Sequence, residues 1–276
     1  MLLSPGGSDQ YTPELPAEEL SGKPGQIMGC GVPGDRRSSG GKWRGTLDSL
    51  VNHLACPQDL RRNGSVRRMS GDLIWLVRHG QSTANAGEPA RDYPSIPLSE
   101  LGELQARAFV ARIPQPPDRI VYSSFVRSRQ TAQPLLEAHP QVEALERPVH
   151  EFSYLWFPGD RLITWQERVP LVEAYWARLD PHHREAGRGE NYVELVERVR
   201  AFLEEAAGWR GFSVVFSHEQ FMRAVALSVL TGDLSPSAAS MRRFVVWRQG
   251  WPVPNVACLA LRKLHGRWWV AGGETD

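Results

Sequence analysis

Arginine and histidine side chains follow two apolar segments of the sequence. The run from Leu73 to Val77 leads into Arg78 and His79, and the run from Phe212 to Phe216 leads, after one serine, into His218. Continuous apolar runs of this length are typical of strands buried on both faces of a sheet. A guanidinium can grip a phosphate through two hydrogen bonds, and a neutral imidazole can act as a nucleophile. Both strand ends therefore carry groups suited to phosphoryl chemistry.

A further cation, Arg127, lies at the start of a predicted helix. A short predicted strand, Arg119 to Tyr122, precedes this helix, which extends from about Val126 to Ala138. A positive side chain at a helix N-terminus is unfavourable by about 0.3–1 kcal/mol, because the free N–H groups there carry partial positive charge. The conflict disappears when an anion binds between them. Since the carboxyl ends of parallel strands meet at one edge of a sheet, we expect Arg127 to join the other groups around a phosphate.

The elements that position these groups alternate between strand and helix. Ser99 is expected to cap a helix that precedes the second strand. Further elements are predicted as two helices, at 191–209 and 221–230, and as a hairpin of strands at 256–261 and 267–270. This alternation predicts the α/β class, as a three-layer α/β/α sandwich with a mainly parallel sheet. The aromatic-rich stretch between Glu151 and Glu190 is expected to form a small cap insertion.

The composition narrows the class of protein. With a formal net charge of +1 over 276 residues, the chain is not expected to bind nucleic acid or an anionic membrane surface. No apolar run approaches the roughly 20 residues that a membrane span needs, and the first 20 residues lack the pattern of a secretory signal. The three cysteines lie far apart, which favours a reducing compartment. These features predict a cytoplasmic protein.

The chain divides near Gly71. Residues 1–70 are rich in Gly, Pro, Ser and Arg, and their one weak helical pattern cannot bury enough apolar surface to offset its ordering entropy. We expect this segment to be a disordered or weakly structured extension without a catalytic role. Met69 stands just before the first strand and would be a natural initiator. Residues 71–276 are expected to form the catalytic domain.

Four segments resemble the histidine phosphatase superfamily, also called the phosphoglycerate mutase-like family. Residues 76–85, LVRHGQSTAN, are similar to its signature of an apolar strand followed by R-H-G-[EQ]-[ST]-x-x-N. Similar matches to later family segments are PLSELGELQA at 97–106, SSFVRSRQTA at 123–132 and FSH at 216–218. The resemblance covers about residues 72–270 and implies a phosphatase in which a histidine carries the phosphoryl group.

The resemblance also assigns roles to the residues at the strand ends. It implies that His79 is the nucleophile and forms a phosphohistidine, and that Arg78, Arg127 and His218 bind the phosphoryl oxygens. Asn85 matches a further phosphate-contacting position of the family. No metal or other cofactor is expected, because the arginines supply the positive charge.

A carboxylic acid is needed to protonate the leaving oxygen, and the resemblance points to Glu151. Burial and a nearby dianionic phosphate would raise the pKa of this carboxyl and keep it protonated. Glu143 and Glu146 are the alternatives. Glu219 departs from the family, which usually has glycine after the second histidine, and its carboxylate could repel phosphate or point to solvent.

Three functions remain open at this level. The first is a phosphatase acting on a small phosphorylated molecule, favoured because the stretch after Glu151 offers four aromatic side chains that could cover an apolar leaving group: Tyr154, Trp156, Phe157 and Trp165. These side chains could equally form the core of the helical cap. The second is a cofactor-dependent phosphoglycerate mutase, which would need extra cations beside the pocket. The third is an inactive protein that binds a phosphorylated ligand. The adjacent His182 and His183 are interpreted as a solvated pair and not as a metal site.

Overall fold

A computed structural model describes residues 72–156, 161–233 and 235–271 of the chain. The predicted extension, residues 1–70, lies outside the described residues. In chain order the elements are β1 (Leu73–Arg78), α1 (Glu100–Val110), β2 (Arg119–Tyr122), α2 (Val126–Ala138), β3 (Glu143–Glu146), α3 (Trp165–Arg178), a short 3₁₀ helix (Glu185–Gly187), α4 (Tyr192–Ala206), β4 (Phe212–Ser217), α5 (Glu219–Thr231), α6 (Ala238–Gly250), β5 (Cys258–Leu264) and β6 (Arg267–Ala271).

One six-stranded sheet organises the fold, in the order β3-β2-β4-β1-β5-β6. The strands β3, β2, β4 and β1 are mutually parallel, whereas β5 and β6 form an antiparallel hairpin beside β1. The hairpin turns at His265 and Gly266, both with positive φ. The sheet is therefore mainly parallel with an antiparallel edge, as predicted.

Alternating residues of the strands face two separate apolar layers. In β1, Leu73, Trp75 and Val77 pack with residues of α1 and α2, while Ile74 and Leu76 face the opposite cluster, which α3 to α6 complete. Each fully buried side chain of this kind stabilises the fold by about 1.5–3 kcal/mol relative to an exposed one. Helices thus cover both faces of the sheet, and the predicted three-layer α/β/α sandwich is confirmed.

Helix caps agree with the sequence at two predicted helix starts. The Ser99 side chain accepts a hydrogen bond from the Gly102 amide at the start of α1. Asn191 and Glu194 form a capping box at the start of α4, although this helix ends at Ala206, three residues before the predicted end. Such caps contribute about 1 kcal/mol each.

Four elements were not predicted from the sequence: β3, α3, the short 3₁₀ helix and α6. The β3 residues Glu, Ala, Leu and Glu are helix formers, and they form a strand because β2 offers them a parallel partner. Helix α3 contains Pro170 in its interior, and a proline inside a segment argues against a helix when the sequence alone is considered. Long-range packing overrides local preference in both cases.

The aromatic stretch after Glu151 contributes to the core. Tyr154 packs against Tyr175 and Trp176, with ring centroids 4.5 and 5.3 Å away, and all three side chains are buried. Trp165 is exposed, Trp156 lies beneath the Arg188 guanidinium, and Phe157 lies outside the described residues. Tyr154 is therefore a core residue, the second of the two roles that the sequence left open for these aromatic side chains. Within the described part of the chain, no helix is long and apolar enough to cross a membrane.

Candidate active site

The predicted strand ends meet at one edge of the sheet. Arg78, the last residue of β1, is in register with Ser217, the last residue of β4, and the His79 amide donates to the Ser217 carbonyl over 3.0 Å. This pairing brings the His79 and His218 rings to a centroid separation of 5.1 Å. Because β2 lies on the other side of β4, the start of α2 brings Arg127 to the same place.

Hydrogen bonding fixes which nitrogen of the buried His79 ring is free. Nδ1 lies 2.6 Å from the Gly80 carbonyl oxygen, which can only accept, so Nδ1 carries the proton. Nε2 then has a lone pair, and Arg127 Nε donates to it over 3.0 Å. The unprotonated Nε2 of His79 therefore points at the Arg127 guanidinium.

The electrostatic surroundings keep His79 neutral. Burial, and then the positive charges of Arg127 and Arg78, hold the pKa of His79 well below its usual range. Burial also lowers the pKa of Arg127 to about 10, so this side chain remains a cation at neutral pH. An unprotonated imidazole thus lies beside a charged guanidinium, a combination that is suited to attack on a phosphate.

The loop that follows β1 lies so close to α1 that Gly80 and Gly102 cannot be replaced by larger residues. A Cβ at Gly80 would lie 2.5 Å from the Gly102 carbonyl oxygen, and one at Gly102 would lie 2.0 Å from the Gln81 carbonyl oxygen. The Gly80 amide donates to Thr131 Oγ1 over 3.0 Å, which ties the loop to α2. These contacts hold His79 and Arg127 in a fixed relation.

His218 forms the opposite wall of the site and is fully buried. Its Nε2 lies 2.7 Å from the Ser123 hydroxyl oxygen, and its ring packs edge-on against Phe125 at 5.1 Å. Among the residues that the structure describes, Nδ1 has no hydrogen-bond partner. Burial and then Arg127 keep the pKa of His218 well below its usual range, so the ring is neutral.

Glu151 reaches the site through the N-terminus of α5. Its Oε1 accepts hydrogen bonds from the Phe152 and Gln220 amides, at 2.9 and 3.0 Å. Both amides bind the same oxygen, which leaves Oε2 as the oxygen able to carry a proton. Burial raises the pKa of Glu151, opposed by Arg127 and reinforced by Glu219.

The alternative carboxylates lie elsewhere. Glu143 and Glu146 are exposed residues of β3, the edge strand of the sheet, where they pair with Arg119 and Arg129 at 3.0 and 2.7 Å. Glu151, by contrast, interacts electrostatically with Arg127. The structure therefore places only Glu151 with the strand-end residues.

Arg78 is held by residues on two sides. Its NH1 donates to the Val253 carbonyl, and its NH2 forms an ion pair with Glu219 at 3.3 Å. Glu219 also pairs with Arg223 at 2.7 Å, and Arg223 Nε donates to the Trp251 carbonyl over 2.9 Å. The sequence left two expectations for Glu219, that its carboxylate repels phosphate or that it points to solvent. In the structure the carboxylate lies between the guanidinium groups of Arg78 and Arg223.

Asn85 lies at the outer edge of the site. Asn255, which the sequence analysis did not identify, links Asn85 to the loop that follows β1. Asn255 Nδ2 donates to the His79 carbonyl over 3.0 Å and to Asn85 Oδ1 over 3.3 Å. The strand order could have identified Asn255. Because β5 is antiparallel to β1, the residues just before β5 lie at the carboxyl end of β1.

Comparisons with known proteins agree with this geometry. The sequence profile described as histidine phosphatase superfamily (branch 1) matches residues 74–251. Phosphoserine phosphatase 1 of Hydrogenobacter thermophilus is 31% identical over 166 residues, which cover 58% of this chain and 77% of that protein. The probable phosphoglycerate mutase GpmB of Photorhabdus laumondii subsp. laumondii is 30% identical over 210 residues, covering 72% and 88%.

A solved structure shares the fold. A mycobacterial glucosyl-3-phosphoglycerate phosphatase in complex with VO3 matches with a TM-score of 0.57 at 21% identity, covering 75% of this chain and 100% of that one. The relatives include phosphatases and a mutase-like protein. With its strand-end histidines and arginines at one edge of a mainly parallel sheet, this chain belongs to the histidine phosphatase superfamily.

Proposed function

We propose that this protein is a phosphatase that hydrolyses phosphomonoesters of small molecules through a phosphohistidine on His79. The observation that carries the proposal is the state of the His79 ring. Its Nδ1 proton is committed to the Gly80 carbonyl, so the Nε2 lone pair faces Arg127 without a proton. A neutral imidazole held in this orientation is an activated nucleophile.

In the first step, Nε2 of His79 attacks phosphorus and the bond from phosphorus to the ester oxygen breaks. The guanidinium groups of Arg78 and Arg127 and the imidazole of His218 stabilise the charge on the equatorial oxygens. The protonated Glu151 carboxyl donates its proton to the departing oxygen, which leaves as an alcohol. Burial supports this role, because it raises the pKa of Glu151.

In the second step, water attacks phosphorus of the phosphohistidine. The Glu151 carboxylate, left ionised by the first step, accepts a proton from that water, and the bond between nitrogen and phosphorus breaks. Inorganic phosphate leaves and His79 returns to its neutral form. One carboxyl group therefore serves as acid and then as base, and its position at the N-terminus of α5 stabilises the intervening anion.

The relatives support a phosphatase in particular. The phosphoserine phosphatase of Hydrogenobacter thermophilus is named for hydrolysis of a small phosphorylated molecule. The catalytic charge in this chain would come from arginines, so we expect activity without a metal ion or other cofactor. The protein should release phosphate from p-nitrophenyl phosphate and from at least one member of a panel of phosphorylated metabolites, with EDTA present.

The same assay separates the alternatives, and phosphate release is measured colorimetrically. The panel includes phosphoserine and 3-phosphoglycerate. Failure to release phosphate, together with formation of 2-phosphoglycerate after bisphosphoglycerate is added, would identify a mutase. Absence of both reactions would indicate a protein that binds a phosphorylated ligand without turnover.

Glu219 should influence the pKa of the proposed acid, Glu151. Its negative charge raises the pKa of Glu151, so Glu219→Gln should lower that pKa. Because Glu151 must be protonated to donate, activity is lost as the pH rises through its pKa. We therefore expect the alkaline limb of the kcat profile to move to lower pH.

A matched variant tests whether this shift is local. Glu205→Gln removes a carboxylate that pairs with Arg147 at 2.8 Å on the surface, and it should leave the profile unchanged. An alkaline limb that stays in place or moves to higher pH in Glu219→Gln would contradict the assignment.

A further inference from the structure

The hydroxyl of Ser123, at the end of β2, has its hydrogen bonds fully determined. Its oxygen accepts from the Phe125 amide at 3.3 Å and lies 2.7 Å from His218 Nε2. The Ser123 amide donates to Ser128 Oγ over 3.0 Å, and that hydroxyl in turn donates to the Phe216 carbonyl over 2.9 Å. Ser123 is completely buried.

This arrangement leaves one acceptor for the Ser123 proton. Within the described residues, the hydroxyl has no partner other than the Phe125 amide, which is a donor, and His218 Nε2. If Nε2 carried a proton, two donors would point at Ser123 Oγ and its own proton would be left buried without an acceptor. An unsatisfied buried donor is costly. The hydroxyl therefore donates to Nε2.

We propose that Ser123 is a positioning residue: by donating to Nε2, it fixes His218 in the tautomer whose Nδ1 carries the proton. That N–H is buried and, in the part of the chain that the structure describes, has no acceptor. The His79 ring lies 5.1 Å away, so a phosphoryl group carried on His79 would bring oxygens to this wall. His218 then binds the phosphoryl group through Nδ1–H.

Because His218 is neutral, its tautomer determines whether Nδ1 can donate a hydrogen bond to a phosphoryl oxygen. Burial opposes a second proton, and the groups around the ring, His79, Arg127, His150 and Arg198, all act in the same direction on its pKa. A neutral imidazole has only one N–H. With the other tautomer, Nδ1 would present a lone pair to the phosphoryl oxygens and repel them. Ser123 thus decides whether His218 attracts or repels phosphate.

The inference rests on the proposed function for its significance, and its first test does not depend on turnover. Long-range ¹H–¹⁵N NMR of the full chain labelled with ¹⁵N-histidine reports which ring nitrogen is protonated. In the wild type we expect His218 to carry its proton on Nδ1. In Ser123→Ala a mixture of tautomers is expected, and in Ser123→Thr, which retains the hydroxyl, the wild-type tautomer.

Binding of inorganic phosphate, measured by calorimetry, gives the second readout. Ser123→Ala should weaken binding about tenfold, with Ser123→Thr close to wild type. His218→Asn places an amide donor near the position of Nδ1, whereas His218→Gln places it near Nε2. We therefore expect His218→Asn to retain more phosphate affinity than His218→Gln at comparable thermal stability.

The outcomes separate this inference from the proposed function. A proton on Nε2 in the wild type, or greater affinity in His218→Gln than in His218→Asn, would overturn the inference even if the enzyme hydrolyses phosphomonoesters. The expected tautomer in a protein without phosphatase activity would refute the proposed function and leave the inference standing. If Ser123→Ala fails to fold, the wild-type spectrum and the two His218 variants still decide the matter.

Discussion

Replacing His79 with alanine should abolish turnover, with kcat lowered by at least about 10⁴-fold. The variant removes the nitrogen that accepts the hydrogen bond of Arg127 at 3.0 Å, and with it the only route to a phosphohistidine in the proposed mechanism. Wild-type protein quenched in alkali after mixing with ³²P-labelled substrate should carry label on His79. The variant should carry none.

Two controls distinguish loss of chemistry from loss of structure. His182→Ala removes an exposed histidine outside the site and should leave kcat and labelling unchanged. His79→Ala should keep a cooperative thermal transition, because the sheet and both apolar layers that bury β1 are unchanged. Wild-type turnover in a folded His79→Ala protein would refute the role of this residue.

Glu151→Gln should lower kcat to a different extent for substrates with different leaving groups. For alkyl phosphates, whose leaving oxygen needs a proton, we expect kcat to fall by about 10²–10⁴-fold. For p-nitrophenyl phosphate, whose leaving group departs as a stable anion, the first step should be nearly unaffected. Hydrolysis of the phosphohistidine should still be slow, because the base is missing. A burst of nitrophenol followed by accumulation of phosphohistidine is the expected result.

The glutamine variant also tests the origin of the pH profile. Burial raises the pKa of Glu151, so the protonated acid persists to higher pH than in an exposed carboxyl, and wild-type activity falls only as the pH passes that pKa. The alkaline limb should disappear in Glu151→Gln. Glu143→Gln and Glu146→Gln, which remove the other candidate acids, should behave as wild type. A first step slowed equally on both types of substrate, with no burst of nitrophenol, would argue against proton donation by Glu151.

The frame of the fold and the main groups of the candidate site could be predicted from the sequence. The apolar runs at β1 and β4 predicted buried parallel strands because a strand covered on both faces needs apolar residues at every position. The residues that follow those strands, Arg78, His79 and His218, were predicted to meet because adjacent parallel strands end at the same edge. This information is local in the chain, so the sequence carries it directly.

The position of the acid was available from the sequence only by resemblance. The segment around Glu151 has no periodic pattern of its own, and Glu143 and Glu146 were equally suitable in chemical terms. The tertiary structure separates them because β3 becomes the exposed edge strand, whereas Glu151 reaches the amides at the start of α5. Burial, which raises the pKa of the acid, is a property of the packed molecule alone.

Contacts between distant segments were decided only by the tertiary structure. Glu219 is placed between Arg78 and Arg223, Asn255 donates to the His79 carbonyl, and Ser123 contacts His218 across 95 positions of the chain. None of these pairs leaves a periodic or spacing signal, because their geometry depends on strand order and register. The sequence supplies the chemical groups of the candidate site, and the packing of the sheet determines which of them contact one another.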